Sequence, residues 1–290
     1  MKGGISSMSS SIKSKKRAER ITDSISLGLI ILFAMLAMFP LWWIFRSSLM
    51  TNPEIGSLSF IPSRWIFHNY REALEVFTFF KYFQNTMTIV LPCVIFGTIT
   101  AIMCGYSFAR LYFRGRSFVF GLCIASLLLP PIVTLIPLYI AWVRFLGLGD
   151  TYWPLILPYL TGGGAFNIFL VRQFIMTVPR ELDEAAKIDG AGRVRILLQI
   201  LVPSIKPAII VVALFIFIGI WNDVLLQTVY ISDAKNYTIA LGLKKFSGSY
   251  GTDWKLAMAS TCMAIMPGII VYLACQKYFV EGIVMTGMKN

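Results

Sequence analysis

Asp183, Glu184 and Asp189 crowd together in this 290-residue chain, with Glu181 close by. Paired carboxylates can do acid–base work when an apolar pocket raises the pKa of one of them. These stand among Arg180, Lys187, Arg193 and Arg195, and nothing in the stretch suggests such a pocket, so catalysis is not expected. Other chemistry is missing too. There is no GxxxxGK(S/T) phosphate loop, no GxSxG and no HExxH. His68 is the only histidine, which rules out a histidine-based metal cluster by count. Cys93, Cys104, Cys123, Cys262 and Cys275 all lie in apolar runs without ligand spacing and read as small hydrophobes. The expectation is a chain with no enzymatic activity, no cofactor and no metal of its own.

The carboxylates belong to an ordered polar interval, Pro179 to Pro203. Pro179 suits the start of a helix of about ten residues, and Gly190 suits its stop. Acids fall early and Lys187 late, as the helix dipole favours. Leu182, Ala185 and Ala186 share a small apolar face by their three- and four-residue spacing. A second amphipathic segment, Val194 to Leu201, runs up to Pro203.

Apolar runs bracket this interval. The chain is 57% hydrophobic and 14% charged, with a mean hydropathy of +0.73, too apolar for a soluble globule. Six runs, near 22–46, 85–109, 117–142, 152–176, 204–226 and 256–279, are long enough to cross a bilayer as helices. The reading is an all-α integral membrane protein with six transmembrane helices. The net charge of +12 follows from orientation. With Arg172 and Lys206 counted at helix ends, 17 of the 26 Lys and Arg residues fall on the side of the two termini and 9 on the other. That asymmetry predicts both termini in the cytoplasm and makes a nucleic-acid partner unnecessary.

Three regions follow in order. Residues 1–21 form a basic, Ser-rich cytoplasmic tail, expected to be disordered up to the membrane. Residues 22–84 hold the first span and an outer loop whose aromatics suit a short helix on the membrane surface. Residues 85–290 form a five-span core that includes the polar loop 177–203. Pro92, Pro130, Pro131 and Pro137 interrupt core spans, and Gly162, Gly163 and Gly164 suit close packing or bending of the fourth. Asn222 and Asp223, late in the fifth span, line a translocation path or cap the helix. The third outer loop carries Gly248, Ser249, Tyr250 and Gly251, a flexible finger whose ring and hydroxyls suit a sugar.

Glu184, Ala185, Ala186, Gly190, Ile200 and Pro203 resemble the EAA motif of permeases in ATP-binding-cassette importers, with Val202 where Leu is usual. From Phe39 onward the chain is similar to the maltose-type carbohydrate permeases, on FPLWWIFRSSL, LIPLY, WND at 221–223 and YGTDW at 250–254. The resemblance implies the type I importer permease fold in the bacterial cytoplasmic membrane. It implies a second homologous permease, two ATPase subunits that bind ATP and Mg, and an extracytoplasmic sugar-binding protein. Leu182, Glu184, Ala185, Ala186, Ile188 and Gly190 would form the knob that docks on an ATPase, and Pro203 would join it almost rigidly to the fifth span. Residues 248–251 would be a scoop loop reaching the binding protein, and Gly287 to Asn290 would touch the ATPase pair. The rival reading is a secondary transporter driven by an ion gradient, which would be expected to show mid-membrane ionisable groups or an internal repeat.

Overall fold

The computed structural model of the chain describes residues 3–57, 59–248 and 251–287, with backbone alone at 3–21, 245, 247–248, 251–252 and 279–287. Helix dominates, because a backbone N–H or C=O in hydrocarbon must find its partner within the segment. Thr22–Ser48, Phe79–Arg110, Trp153–Thr177 and Trp254–Tyr278 are each long and apolar enough to cross a bilayer. Two bent pairs meet the same requirement together: Arg116–Leu128 with Pro131–Phe145 at 99°, and Arg193–Ser204 with Lys206–Trp221 at 83°. Counting each pair once gives up to six spans by length and composition, close to the six expected.

The first helix corrects one expectation. It runs unbroken from Gly3 to Ser48, so the leading tail continues the span instead of being disordered. A helix already nucleated in an apolar stretch extends at little cost through Lys15, Lys16, Arg17, Ala18, Glu19 and Arg20. The first span lies outside the bundle, exposed along its most apolar window, and leans on the sixth. Its last three residues and the two that follow, Arg46 to Met50, are buried, and the Arg46 guanidinium sits 3.8 Å from the Trp43 ring centroid. The surface helix appears as His68–Phe77, and the Asn69 amide donates to the Ser48 and Met50 carbonyls at 2.9 and 3.0 Å.

The second span, Phe79–Arg110, is the axis of the core, packing on Ala165–Thr177 of the fourth span and Lys206–Trp221 of the fifth. The third span breaks at Leu129 and Pro130, both extended. Each precedes a proline, whose ring disfavours helical backbone at the residue before it. The fourth breaks at Gly162, Gly163 and Gly164, with φ of 123°, 66° and 98°. Of the uses foreseen for these glycines, close packing is realised: Gly163 lies against Gly97 of the second span.

The fifth span shows a second difference. The loop does not run straight into it through Pro203; the chain turns by 83° at Ile205. Pro207 has no N–H with which to continue the helical ladder across that turn. One short exception to the all-α reading is an antiparallel hairpin, in which Ser247 pairs with Thr252 and Gly248 with Gly251. Ser249, Tyr250 and residues 288–290 lie outside the described residues.

Candidate functional site

The polar loop folds as two short helices. Val178, before Pro179, is extended and ends the fourth span, and Arg180–Ile188 follows with Pro179 at its cap. At the other end Gly190 has φ of 80°, a conformation glycine adopts without strain. The Gly190 N–H donates to the Lys187 carbonyl at 3.0 Å, and the Ala191 N–H to the Ala186 carbonyl at 2.8 Å. Together these close the C-terminal turn as a Schellman motif. The chain then re-enters helix over Arg193–Ser204.

Most of the apolar face expected to dock elsewhere is bare in this chain. Ile188 is 87% exposed and Leu182 47%, and Glu184 and Ala185 are also exposed. Ala186 alone is half-buried. Such side chains lose little by leaving water, and each large one gains about 1.5–3 kcal/mol on full burial.

The inward face of the helix was not foreseen. Asp183 is only 6% exposed, and its Oδ2 lies 2.8 Å from Nε of Arg110, the last residue of the second span. Arg110 Nη2 also donates to the Val178 carbonyl at 2.6 Å. The sequence reading placed Asp183 among solvated carboxylates, without a pocket. It is instead a buried ion-pair partner, and removing one member of such a pair costs about 3–5 kcal/mol because the other stays charged and dry. An arginine ending an apolar span was the available signal, but nothing local paired it with Asp183.

Asn222 and Asp223 separate. The helix of the fifth span ends at Trp221, not near 226, so Asn222 caps it and Asp223 lies beyond. Asn222 donates to the Ile218 carbonyl at 3.0 Å and lines a cleft of about 440 Å³ with Gly268 and Tyr272 of the sixth span. Asp223 accepts the Leu226 N–H at 2.9 Å, capping Leu225–Tyr230, and faces a different cleft of about 620 Å³. Ser126, Pro131, Tyr159 and Gly163 line that second cleft, so it opens where the third and fourth spans break. Of the other membrane amides, Asn85 donates to the Lys235 and Tyr237 carbonyls at 2.9 and 2.8 Å, and Asn167 to the Gly163 carbonyl. Both secure backbone.

At the far end of the bundle the hairpin base is tied down. The Asn52 side chain donates to Asp253 at 3.1 Å and accepts the Lys255 N–H at 2.9 Å, while Lys255 Nζ meets Glu72 Oε2 at 2.8 Å. Among the described residues no group of three His, Cys, Asp or Glu is placed to hold a metal.

Comparison with known proteins matches residues 97–284 to the family described as "Binding-protein-dependent transport system inner membrane component". The diacetylchitobiose uptake system permease protein NgcG of Streptomyces coelicolor is 31% identical over 263 residues, covering 90% of this chain and 87% of that protein. The maltodextrin transport system permease protein MdxG of Bacillus subtilis is 32% identical over 242 residues, covering 82% and 86%. A crystal structure of a bacterial ABC transporter involved in import of the acidic polysaccharide alginate contains a chain that superposes with a TM-score of 0.78 at 25% identity, covering 91% of this chain and 98% of that one.

Proposed function

We propose that this chain, which belongs to the binding-protein-dependent transport system inner membrane components, is the permease subunit of an ATP-binding-cassette importer for a sugar or oligosaccharide. An extracytoplasmic binding protein delivers the sugar. A second homologous permease completes the path, and two ATPase subunits, which hold ATP and Mg, supply the energy. Both termini lie in the cytoplasm, in keeping with the Lys and Arg asymmetry. Family membership removes the rival reading of an ion-driven transporter.

The observation that carries the coupling role is the helix Arg180–Ile188, clamped on one face and bare on the other. Its Leu182 and Ile188 side chains project unburied from a rigid, capped turn, the form of a knob awaiting a socket. Leu182, Ala185, Ala186 and Ile188 seat in the ATPase subunit, Glu184 makes a polar contact at the edge, Gly190 sets the turn, and Pro203 lies in the helix that leads to the bend. When the ATPase pair closes on ATP, the knobs are drawn together and the spans tilt between inward- and outward-facing states. Asp223, beside the broken third and fourth spans, lines the path, and Asn222 faces the sixth span next to it. Gly248, Ser249, Tyr250 and Gly251 form the scoop loop that reaches toward the binding protein.

The test is co-purification. Ile188→Asp and Leu182→Asp place a carboxylate on the exposed face, where the fold of the chain itself does not need the apolar group. Each is expected to insert and fold normally in detergent and to lose the ATPase subunits. An intact complex with normal ATP-driven uptake would count against the assignment.

A further inference from the structure

The proposed coupling role leaves open how movement of the knob enters the bilayer. The covalent route leads through Arg193–Ser204 to the fifth span, but across an 83° turn at Ile205. A push delivered along one helix has little component along another set nearly at right angles to it. The non-covalent route is more direct. The last turns of the second span hold the loop at three places: Arg110 reaches the Val178 carbonyl before the helix at 2.6 Å, Arg110 meets Asp183 within it at 2.8 Å, and the Tyr106 hydroxyl reaches the Arg193 carbonyl after it at 3.4 Å. The second span is in turn set backbone-close against the fourth, where a Cβ on Gly105 would meet Val171 Cγ1 at 2.7 Å and one on Gly163 the Gly97 carbonyl oxygen at 2.6 Å.

We infer that Arg110 is a positioning residue that locks the coupling helix to the second span, so that the second and fourth spans move with the knob while the fifth hinges at Ile205. Only a forked guanidinium can serve the carboxylate and the carbonyl together. This rests on the docking role assigned above to Arg180–Ile188.

The experiment uses the assembled importer, with the native cysteines replaced by alanine and spin labels on Lys187→Cys and Met103→Cys, or on Lys187→Cys and Ile218→Cys, all solvent- or lipid-exposed positions. Distances are measured without nucleotide and after trapping with ATP and vanadate. The 187–103 distance is expected to hold within about 2 Å, and the 187–218 distance to shift by more than that. Arg110→Ala should broaden the 187–103 distribution, and the exchange Arg110→Asp with Asp183→Arg, which restores the ion pair but not the bond to the Val178 carbonyl, should narrow it in part, which a merely structural loss would not do. Equal shifts in both distances, no shift in either, or an Arg110→Ala distribution like the parent's would overturn the lock while leaving docking intact. Loss of the ATPase from the parent complex would instead strike at the docking role.

Discussion

A Cβ built on Gly163 would stand 2.6 Å from the carbonyl oxygen of Gly97, closer than real atoms approach, so the second and fourth spans meet backbone to backbone. In a bilayer, where lipid is as apolar as leucine, such close approach is a main source of helix affinity.

Gly163→Ala is therefore expected to destabilise strongly. It meets backbone that cannot yield, and it sits at φ of 66°. Overpacking of this kind costs about 1–3 kcal/mol, with about 1–2 kcal/mol more for the left-handed conformation. Gly97→Ala is the control: its Cβ would meet the flexible Cδ1 of Ile216 at 3.1 Å. Thermal melting in detergent should rank Gly163→Ala well below Gly97→Ala, and similar melting temperatures would refute the backbone contact.

Gly190 makes a contrasting case. Nothing lies within 4 Å of a Cβ placed there, so bulk is no obstacle in this chain and the penalty is conformational, at φ of 80°. Gly190→Asn, which tolerates that region, should keep ATPase binding and uptake. Gly190→Val should weaken the closing turn by about 1–2 kcal/mol and lower uptake while the protein still inserts. Equal uptake by the two variants would mean that the turn does not set the knob.

Asp150 provides a pH test at the opposite end of the bundle. Its Oδ1 accepts the Asp233 N–H at 2.9 Å and the Ser232 N–H at 2.8 Å, and these bonds hold its carboxyl below the ordinary range. A depressed pKa means that the tie is intact above the unfolded carboxylate value and is lost as pH falls through the lower folded one, below about pH 4. Amide exchange at Ser232 and Asp233, corrected for intrinsic rate, should speed up in that window. Asp150→Asn should be faster throughout and lack the step; a step that survives the substitution would assign it to another group.

Much of this was legible along the chain. Apolar runs of sufficient length gave the spans, because hydrocarbon imposes helix wherever the chain crosses it. Pro130 and Pro131 signalled the break in the third span, and Gly190 the end of the knob, since each acts on its own backbone. Two readings needed correction. Asp183 looked solvated because its partner, Arg110, lies on a helix distant in the chain; the expected straight entry from Pro203 into the fifth span missed the local turn at Ile205, just before Pro207.

The sequence by itself determined which segments cross the membrane, where the polar knob begins and ends, and which side chains it offers, since these follow from hydropathy, turn chemistry and helical spacing over a few residues. Tertiary structure alone decided that Asp183 faces inward onto Arg110, that Asp223 and Asn222 open onto different clefts, and that the knob is clamped to the second span. Burial and ion pairing at those places come from contacts between segments far apart in the chain, and no local pattern encodes them.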